Sequence, residues 1–239
     1  MRGSLSDHAM EMAAAYYVTR LSGDRLRRCY ERAPWRVKQY LDAEIVYVLG
    51  RVQAASSVLE LGCGYGRVLA RLAQTTRWVV GIDTSLESLV LARELTAGYG
   101  RCELAVMDAT ALGFRDRSFD AVVCIQNGIC AFRVNPRKLL QEALRVTRPG
   151  GRLLFSSYSE TFWPHRLLWF EQQAEEGLLG EIDYSATSRG EIVCKDGFRS
   201  RTLGAKEFTQ LCGQLGAQPM IVEVDESSVF CEIAAPSAA

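Results

Sequence analysis

The 239-residue chain has no excess of either charge: Lys plus Arg and Asp plus Glu each number 28, and the sequence pI is near 6.7. Without a bulk positive field there is nothing to hold a polyanion, so nucleic acid is not an expected substrate. No apolar run approaches the roughly 18 to 20 residues that cross a bilayer, and no membrane partner is expected. The eight cysteines are scattered from Cys29 to Cys231 without a C-x-x-C pair, and the start of the chain carries no signal-peptide pattern. Both features point to reduced thiols in the cytoplasm. Histidine is scarce, with only His8 and His165, and no His and Cys spacing matches a ligand set, so no metal is expected.

What is present is alternation. Val37, Leu41, Ile45, Val48 and Val52 recur every three or four positions and predict one helix from Pro34 to Val52, with shorter helical stretches before it at Met10 to Leu21 and Arg25 to Arg32. From Ser57 onward, short apolar runs (Ser57 to Leu61, Trp78 to Ile82, Cys102 to Met107, Phe119 to Ile125, Arg152 to Ser156) are separated by helical segments. That order implies parallel strands joined by crossover helices. Thr84 with Glu87 three residues on reads as a capping box, Asn135-Pro136 opens another helix, and Pro149-Gly150-Gly151 reads as a turn.

Beyond the fifth strand the pattern changes. An aromatic segment runs from Phe162 to Phe170, and Asp196-Gly197 joins two short strands in a predicted hairpin. A helix from Ala205 to Leu215 precedes Met220 to Val224 and Val229 to Ile233, which lie too close in sequence for a crossover and must be antiparallel. The expected fold is therefore α/β, a doubly wound, seven-stranded, mostly parallel sheet with an antiparallel last strand and helices on both faces. Residues 1–53 are expected to form an N-terminal helical lid of the same domain, and 54–239 its core, elaborated at about 159–203.

The first strand runs into Glu60-Leu61-Gly62-Cys63-Gly64-Tyr65-Gly66. A glycine-rich turn at the carboxyl end of a parallel strand lets a ligand approach the backbone closely. A dinucleotide fingerprint would need glycine at position 67, and Arg67 stands there. Asp83 ends the second strand, 21 residues after Gly62, where a carboxylate accepts both hydroxyls of a ribose.

As a set, these residues resemble the class I S-adenosylmethionine-dependent methyltransferases over roughly residues 55 to 158. The resemblance implies S-adenosylmethionine as cofactor and a small-molecule methyl acceptor. It groups Glu60, Gly62, Cys63, Gly64 and Gly66 with Asp83 and Thr84 at the cofactor. It places Asp108 and Ala109 at the adenine, and Gln126 and Asn127 beside the transfer centre. No Pro-Pro-aromatic signature follows the fourth strand, which again points away from nucleic acid. The stretch around Tyr17, Tyr30 and Arg36 resembles the entry segment of small-molecule N-methyltransferases, with Arg36 expected on the methionine carboxylate.

Transfer from a sulfonium is an in-line displacement that depends chiefly on alignment and exclusion of water. Where the acceptor arrives protonated, Tyr158, Glu160 and His165 are the candidate bases. Two other readings share the sequence: a module that binds S-adenosylmethionine without turnover, and a nicotinamide-dependent oxidoreductase. A monomer or homodimer is expected.

Overall fold

The computed structural model describes residues 16–236. Five strands alternate with helices through its first two thirds: β1 (Ser57–Leu61), β2 (Trp78–Asp83), β3 (Cys102–Val106), β4 (Phe119–Cys124) and β5 (Thr147–Tyr158). Helices α1 (Gly23–Glu31) and α2 (Trp35–Val52) precede them. Between them lie α3 (Arg67–Leu72), α4 (Leu86–Thr96), α5 (Gly128–Ala131) and α6 (Pro136–Val146). The remainder contributes α7 (Trp163–Glu175), a hairpin of β6 (Glu191–Val193) and β7 (Arg199–Arg201), α8 (Ala205–Gly213), β8 (Pro219–Val224) and β9 (Ser228–Ala234).

The main sheet has the order β3-β2-β1-β4-β5-β9-β8, with β9 antiparallel to both neighbours. Successive side chains point to opposite faces, and both faces are covered. Val58, Val79, Val123 and Leu154 join Ile45, Val48 and Val52 of α2 and Val68 and Leu69 of α3 in one core. Leu59, Val122, Leu153 and Phe155 join Leu139, Leu140 and Ala143 of α6 and Phe208 of α8 in another. This double burial explains why the strands read as continuous apolar runs rather than alternating ones.

A third core lies outside the sheet. Tyr16, Val37 and Tyr40 from the amino-terminal segment pack with Tyr158, Phe162, Trp169, Phe170, Ile192 and Phe198. The Tyr16 hydroxyl donates to Asp196 (2.7 Å), Arg25 Nε donates to the Leu178 carbonyl (2.8 Å), and Trp169 Nε1 donates to the Cys29 carbonyl (3.0 Å). The amino-terminal helices and the insertion after β5 therefore stabilise each other. Within the aromatic run, Phe162 at the start of α7 and Trp169 and Phe170 on its buried face enter this core.

Two local expectations need correction. Pro149-Gly150-Gly151 lies inside β5, which starts at Thr147: Gly150 takes φ 75° within a register shift opposite Phe119 and Ala121, and the strand continues through it. The cap of α4 is Ser85, whose hydroxyl accepts the Ser88 N–H at 3.2 Å, while Thr84 is exposed. Glu87 instead accepts from the Ser22 hydroxyl at 2.7 Å and pins α1 to α4. Residues 10–15 of the helix expected from Met10 to Leu21 lie outside the described residues, as does His8; residues 16–19 are helical.

Candidate cofactor cleft

In an open sheet of this order the crossovers run in opposite directions from β1 and β4, which leaves a crevice at their carboxyl ends. A cavity of about 420 Å³ opens there, and the loops after β1, β2, β3 and β4 all line it.

The turn after β1 uses its glycines for different purposes. Gly62 has φ 70°, and a Cβ there would lie 2.3 Å from the Phe132 ring. Gly66 has φ 90° at the start of α3, and a Cβ there would meet the Ala92 backbone at 3.0 Å. Gly62 and Gly64 line the cavity, whereas Gly66 lets α3 pack against α4 and does not line it.

Asp83 ties the second strand to this turn. Its Oδ2 accepts the Gly64 N–H at 2.9 Å and its Oδ1 accepts the Ser85 N–H at 2.8 Å. Each carboxylate oxygen accepts about two hydrogen bonds, so both retain capacity for a pair of hydroxyls. Burial raises the Asp83 pKa, and the backbone N–H donors oppose that rise. Asp108 Oδ1 is held by the Thr110 N–H (2.7 Å) and hydroxyl (2.9 Å), and Asp108 and Ala109 both line the cavity.

Glu60 and Arg67 give the cleft a charged end. Glu60 is 4% exposed, and burial pushes its pKa up to about 8, with Asp83 adding to the rise and Arg67 opposing it. Its Oε2 is buried without a hydrogen-bond partner, as are Nε and Nη2 of Arg67. Arg67 Nη1 lies 4.0 Å from Asp42, and its guanidinium sits 5.4 Å from the Tyr30 ring centroid. The sequence pattern identified Arg67 only as the residue that breaks the dinucleotide fingerprint. Its place on the first turn of α3, pointing back toward the glycine turn, was the available signal.

After β4 the backbone takes two consecutive left-handed residues, Gln126 (φ 56°) and Asn127 (φ 63°), a conformation that costs non-glycine residues about 1 kcal/mol each. The strain is held from below: Gln126 N–H donates to Glu44 Oε2 (2.8 Å) and to the Ser156 hydroxyl (2.9 Å). Gln126 lines the cavity and its Nε2 has no partner. Asn127 turns away from the cavity and is 3% exposed, receiving the Ser157 hydroxyl (2.8 Å) and donating to the Arg201 carbonyl (3.0 Å). The expectation of Asn127 at the cofactor is corrected to a buried bracket between β5 and β7.

Tyr17 and Tyr30 line the cavity, joined by Tyr65, Met107 and Phe132. Arg36 does not. Its Nη1 pairs with Asp225 at 2.7 Å, its Nη2 donates to the Asp225 carbonyl at 2.6 Å, and its guanidinium lies over Phe162, so the acid at the β8–β9 turn takes the place expected of a ligand carboxylate. Of the three candidate bases none lines this cavity. Tyr158 is buried between Tyr40, Phe162 and Arg166, and burial pushes its pKa up to about 12, which suits a neutral packing residue. His165 lies exposed on the outer face of α7 against Phe162, and Glu160 lines a different cavity.

The protonatable and donor atoms left unpartnered in the cleft fit an amino acid joined to a nucleoside. The Glu60 carboxyl and the Arg67 guanidinium complement an ammonium and a carboxylate, Asp83 a diol, and the open glycine turn the chain between them. A family model for a methyltransferase domain matches residues 58–151. A malonyl-[acyl-carrier protein] O-methyltransferase from Marinomonas sp. (strain MWYL1) is 30% identical over 215 residues, 86% of this chain and 74% of that protein. The chain belongs to the class I S-adenosylmethionine-dependent methyltransferases.

Other members of this methyltransferase family match in part. A demethylmenaquinone methyltransferase from Clavibacter sepedonicus is 42% identical over 106 residues, 44% of this chain and 42% of that protein. The chain spans less than half the length of this relative and of a second demethylmenaquinone methyltransferase, of which it covers 46%. The crystal structure of an N-methyltransferase from Bradyrhizobium japonicum WM9 in complex with S-adenosyl-L-homocysteine shares the fold at TM-score 0.56 and 16% identity, covering 97% of this chain and 99% of that one. Among the described residues, no helix is long and apolar enough to cross a membrane.

Proposed function

We propose that this chain transfers the methyl group of S-adenosylmethionine to a small-molecule acceptor. The observation that carries the reading is the convergence of Glu60, Asp83 and Asp108, from the ends of three adjacent strands, on one cavity beside the glycine turn. When bound, the cofactor supplies an electrophilic methyl on a sulfonium, which passes to the acceptor nucleophile and leaves S-adenosylhomocysteine.

The roles of the chain's own residues follow from their positions. Asp83 holds the ribose hydroxyls with a carboxylate that the Gly64 and Ser85 N–H groups fix in place. Asp108 and Ala109 receive the adenine edge. Glu60 faces the ammonium, whose charge lowers the cost of ionising that buried carboxyl. Arg67 holds the methionine carboxylate, the role expected of Arg36, because it is the cavity-lining guanidinium with unpartnered donors.

Gln126, held in its strained turn by Glu44 and Ser156, borders the acceptor side. Tyr17, Tyr30 and Phe132 cover the opening with apolar surface, which excludes water from the displacement. Residues 16–53 act as the lid, since Tyr17, Leu26 and Tyr30 line the cavity from outside the sheet.

Cytoplasmic residence is part of the same reading, supported by eight unpaired cysteines. The experiment is turnover: purified protein with S-adenosylmethionine and a panel of quinol, amine and carboxylate acceptors, followed by S-adenosylhomocysteine formation. Product above the acceptor-free rate with at least one acceptor is expected. Tight cofactor binding with no product on the panel favours a sensor instead.

A further inference from the structure

A second cavity of about 430 Å³ lies beside the hairpin and the start of α7, and the cofactor reading leaves it unused. Arg166, Arg189 and Arg201 line it, with Ser159, Thr202 and two acids, Glu160 and Glu207. Glu207 is already engaged, since its Oε2 accepts the Gly204 N–H at 2.8 Å and so caps α8. Glu160 is exposed.

Arg166 is the unusual residue. It is 1% exposed, yet among the described residues no carboxylate pairs with it. Its Nη2 donates to the Ser200 carbonyl and hydroxyl, its Nη1 reaches the Gly190 carbonyl at 3.4 Å, and its Nε is buried without a partner. The Tyr158, Trp163 and Phe170 rings lie 4.5, 5.8 and 5.7 Å from its guanidinium carbon. Ring faces and carbonyls solvate a cation in part but do not neutralise it, and a buried charge without a counter-charge is costly. A fixed guanidinium that lines a cavity, short of a counter-charge and with its Nε unpartnered, beside two further arginines, is an arrangement that recognises an oxyanion.

We propose that this cavity is an anion-binding site for the carboxylate or phosphate group of a small molecule, with Arg166 at its floor and Arg189 and Arg201 at its mouth. One hydrogen bond links the linings of the two cavities. Asn127, between the cleft-lining Gln126 and Gly128, donates to the carbonyl of Arg201, which lines the second cavity. The acceptor class this implies is a molecule with a terminal acidic group that is anchored beyond α5. That acceptor assignment rests on the methyl-transfer reading, whereas the anion site does not.

The test is titration of the full chain with inorganic phosphate and, separately, succinate, at constant ionic strength against a chloride control, read by thermal stabilisation and calorimetry. Saturable binding of either probe is expected, and the probe that binds more tightly identifies the group as phosphate or carboxylate. Arg189 and Arg201 are exposed, so the double variant Arg189→Gln, Arg201→Gln should fold and bind that probe about tenfold more weakly. Arg166→Lys, which keeps the charge but loses the fork, should weaken it as well. No saturable binding of either probe, or unchanged affinity in the folded double variant, overturns the proposal. S-adenosylhomocysteine titrated in parallel should bind the double variant as it binds the parent. Loss of that binding in every protein defeats the cofactor reading and leaves the anion result standing.

Discussion

The fully buried Glu44 carboxyl accepts the backbone N–H of Gln126 at 2.8 Å, so a helix outside the sheet fixes the strained turn that lines the cleft after β4. Glu44→Ala leaves that N–H with only the Ser156 hydroxyl as acceptor and creates a void. A loss of about 1–3 kcal/mol is expected by denaturant unfolding. Glu44→Gln keeps an acceptor and should lose less. Equal losses in the two variants would mean that the hydrogen bond is not what Glu44 contributes.

Glu44 and Glu60 also set a pH dependence. Burial raises both in the folded protein, Glu44 to about 7 and Glu60 to about 8, above the ordinary glutamate value of 4.5. A carboxyl raised on folding contributes stability that is fully present below its unfolded pKa and lost as pH rises through its folded pKa. Stability attributable to this pair is therefore highest near pH 4.5 and falls toward about pH 8. Melting temperatures of the parent and of the Glu44→Gln, Glu60→Gln double variant should diverge across that range, with the variant flatter. Parallel curves would show that these carboxyls are not titrating in the folded state.

Arg67 and Arg36 are separable. Arg67→Gln removes the guanidinium with unpartnered donors in the cleft and should weaken S-adenosylhomocysteine about tenfold, the scale of a charge-assisted pair. Arg36→Gln breaks its contact with Asp225 and should lower stability by about 1 kcal/mol with cofactor affinity intact. The reverse pattern would return the carboxylate role to Arg36.

Gly62→Ala tests the turn. The new methyl meets the Phe132 ring 2.3 Å away and the backbone is held at φ 70°, so a loss of about 1–2 kcal/mol from the conformation alone is expected, together with weaker cofactor binding. Adding Phe132→Ala relieves the clash but not the strain, so recovery should be partial. Full recovery would place the whole cost in the contact.

Much of this fold is legible in the sequence because both faces of the sheet are buried. Strands such as Val79-Val80 and Val122-Val123 stand out as apolar runs, and Asp196-Gly197 marks its hairpin by local turn chemistry. The glycine turn, Asp83 and Asp108 are legible for the same reason, since each sits where a strand ends. What is not legible depends on contacts between distant segments. Arg36 and Arg67 are alike in sequence, and only the approach of Asp225, 189 residues further along, commits the first of them. Glu44 reads as one polar position on an amphipathic helix until the fold brings Gln126 against it. His165 and Tyr158 follow β5 as a base would, yet the helical turn at α7 points His165 outward and the aromatic core encloses Tyr158.

In the proposed function Asp83 anchors S-adenosylmethionine in the cleft between β1 and β4. Calorimetric titration of S-adenosylhomocysteine into the parent and Asp83→Asn proteins measures it directly, because the amide keeps one acceptor for the Gly64 or Ser85 N–H but replaces the other oxygen with a donor. Saturable one-to-one binding to the parent, weakened at least about tenfold in a folded Asp83→Asn protein, is the predicted result. Equal affinity in the two proteins, or no binding to the parent, would contradict that role for Asp83.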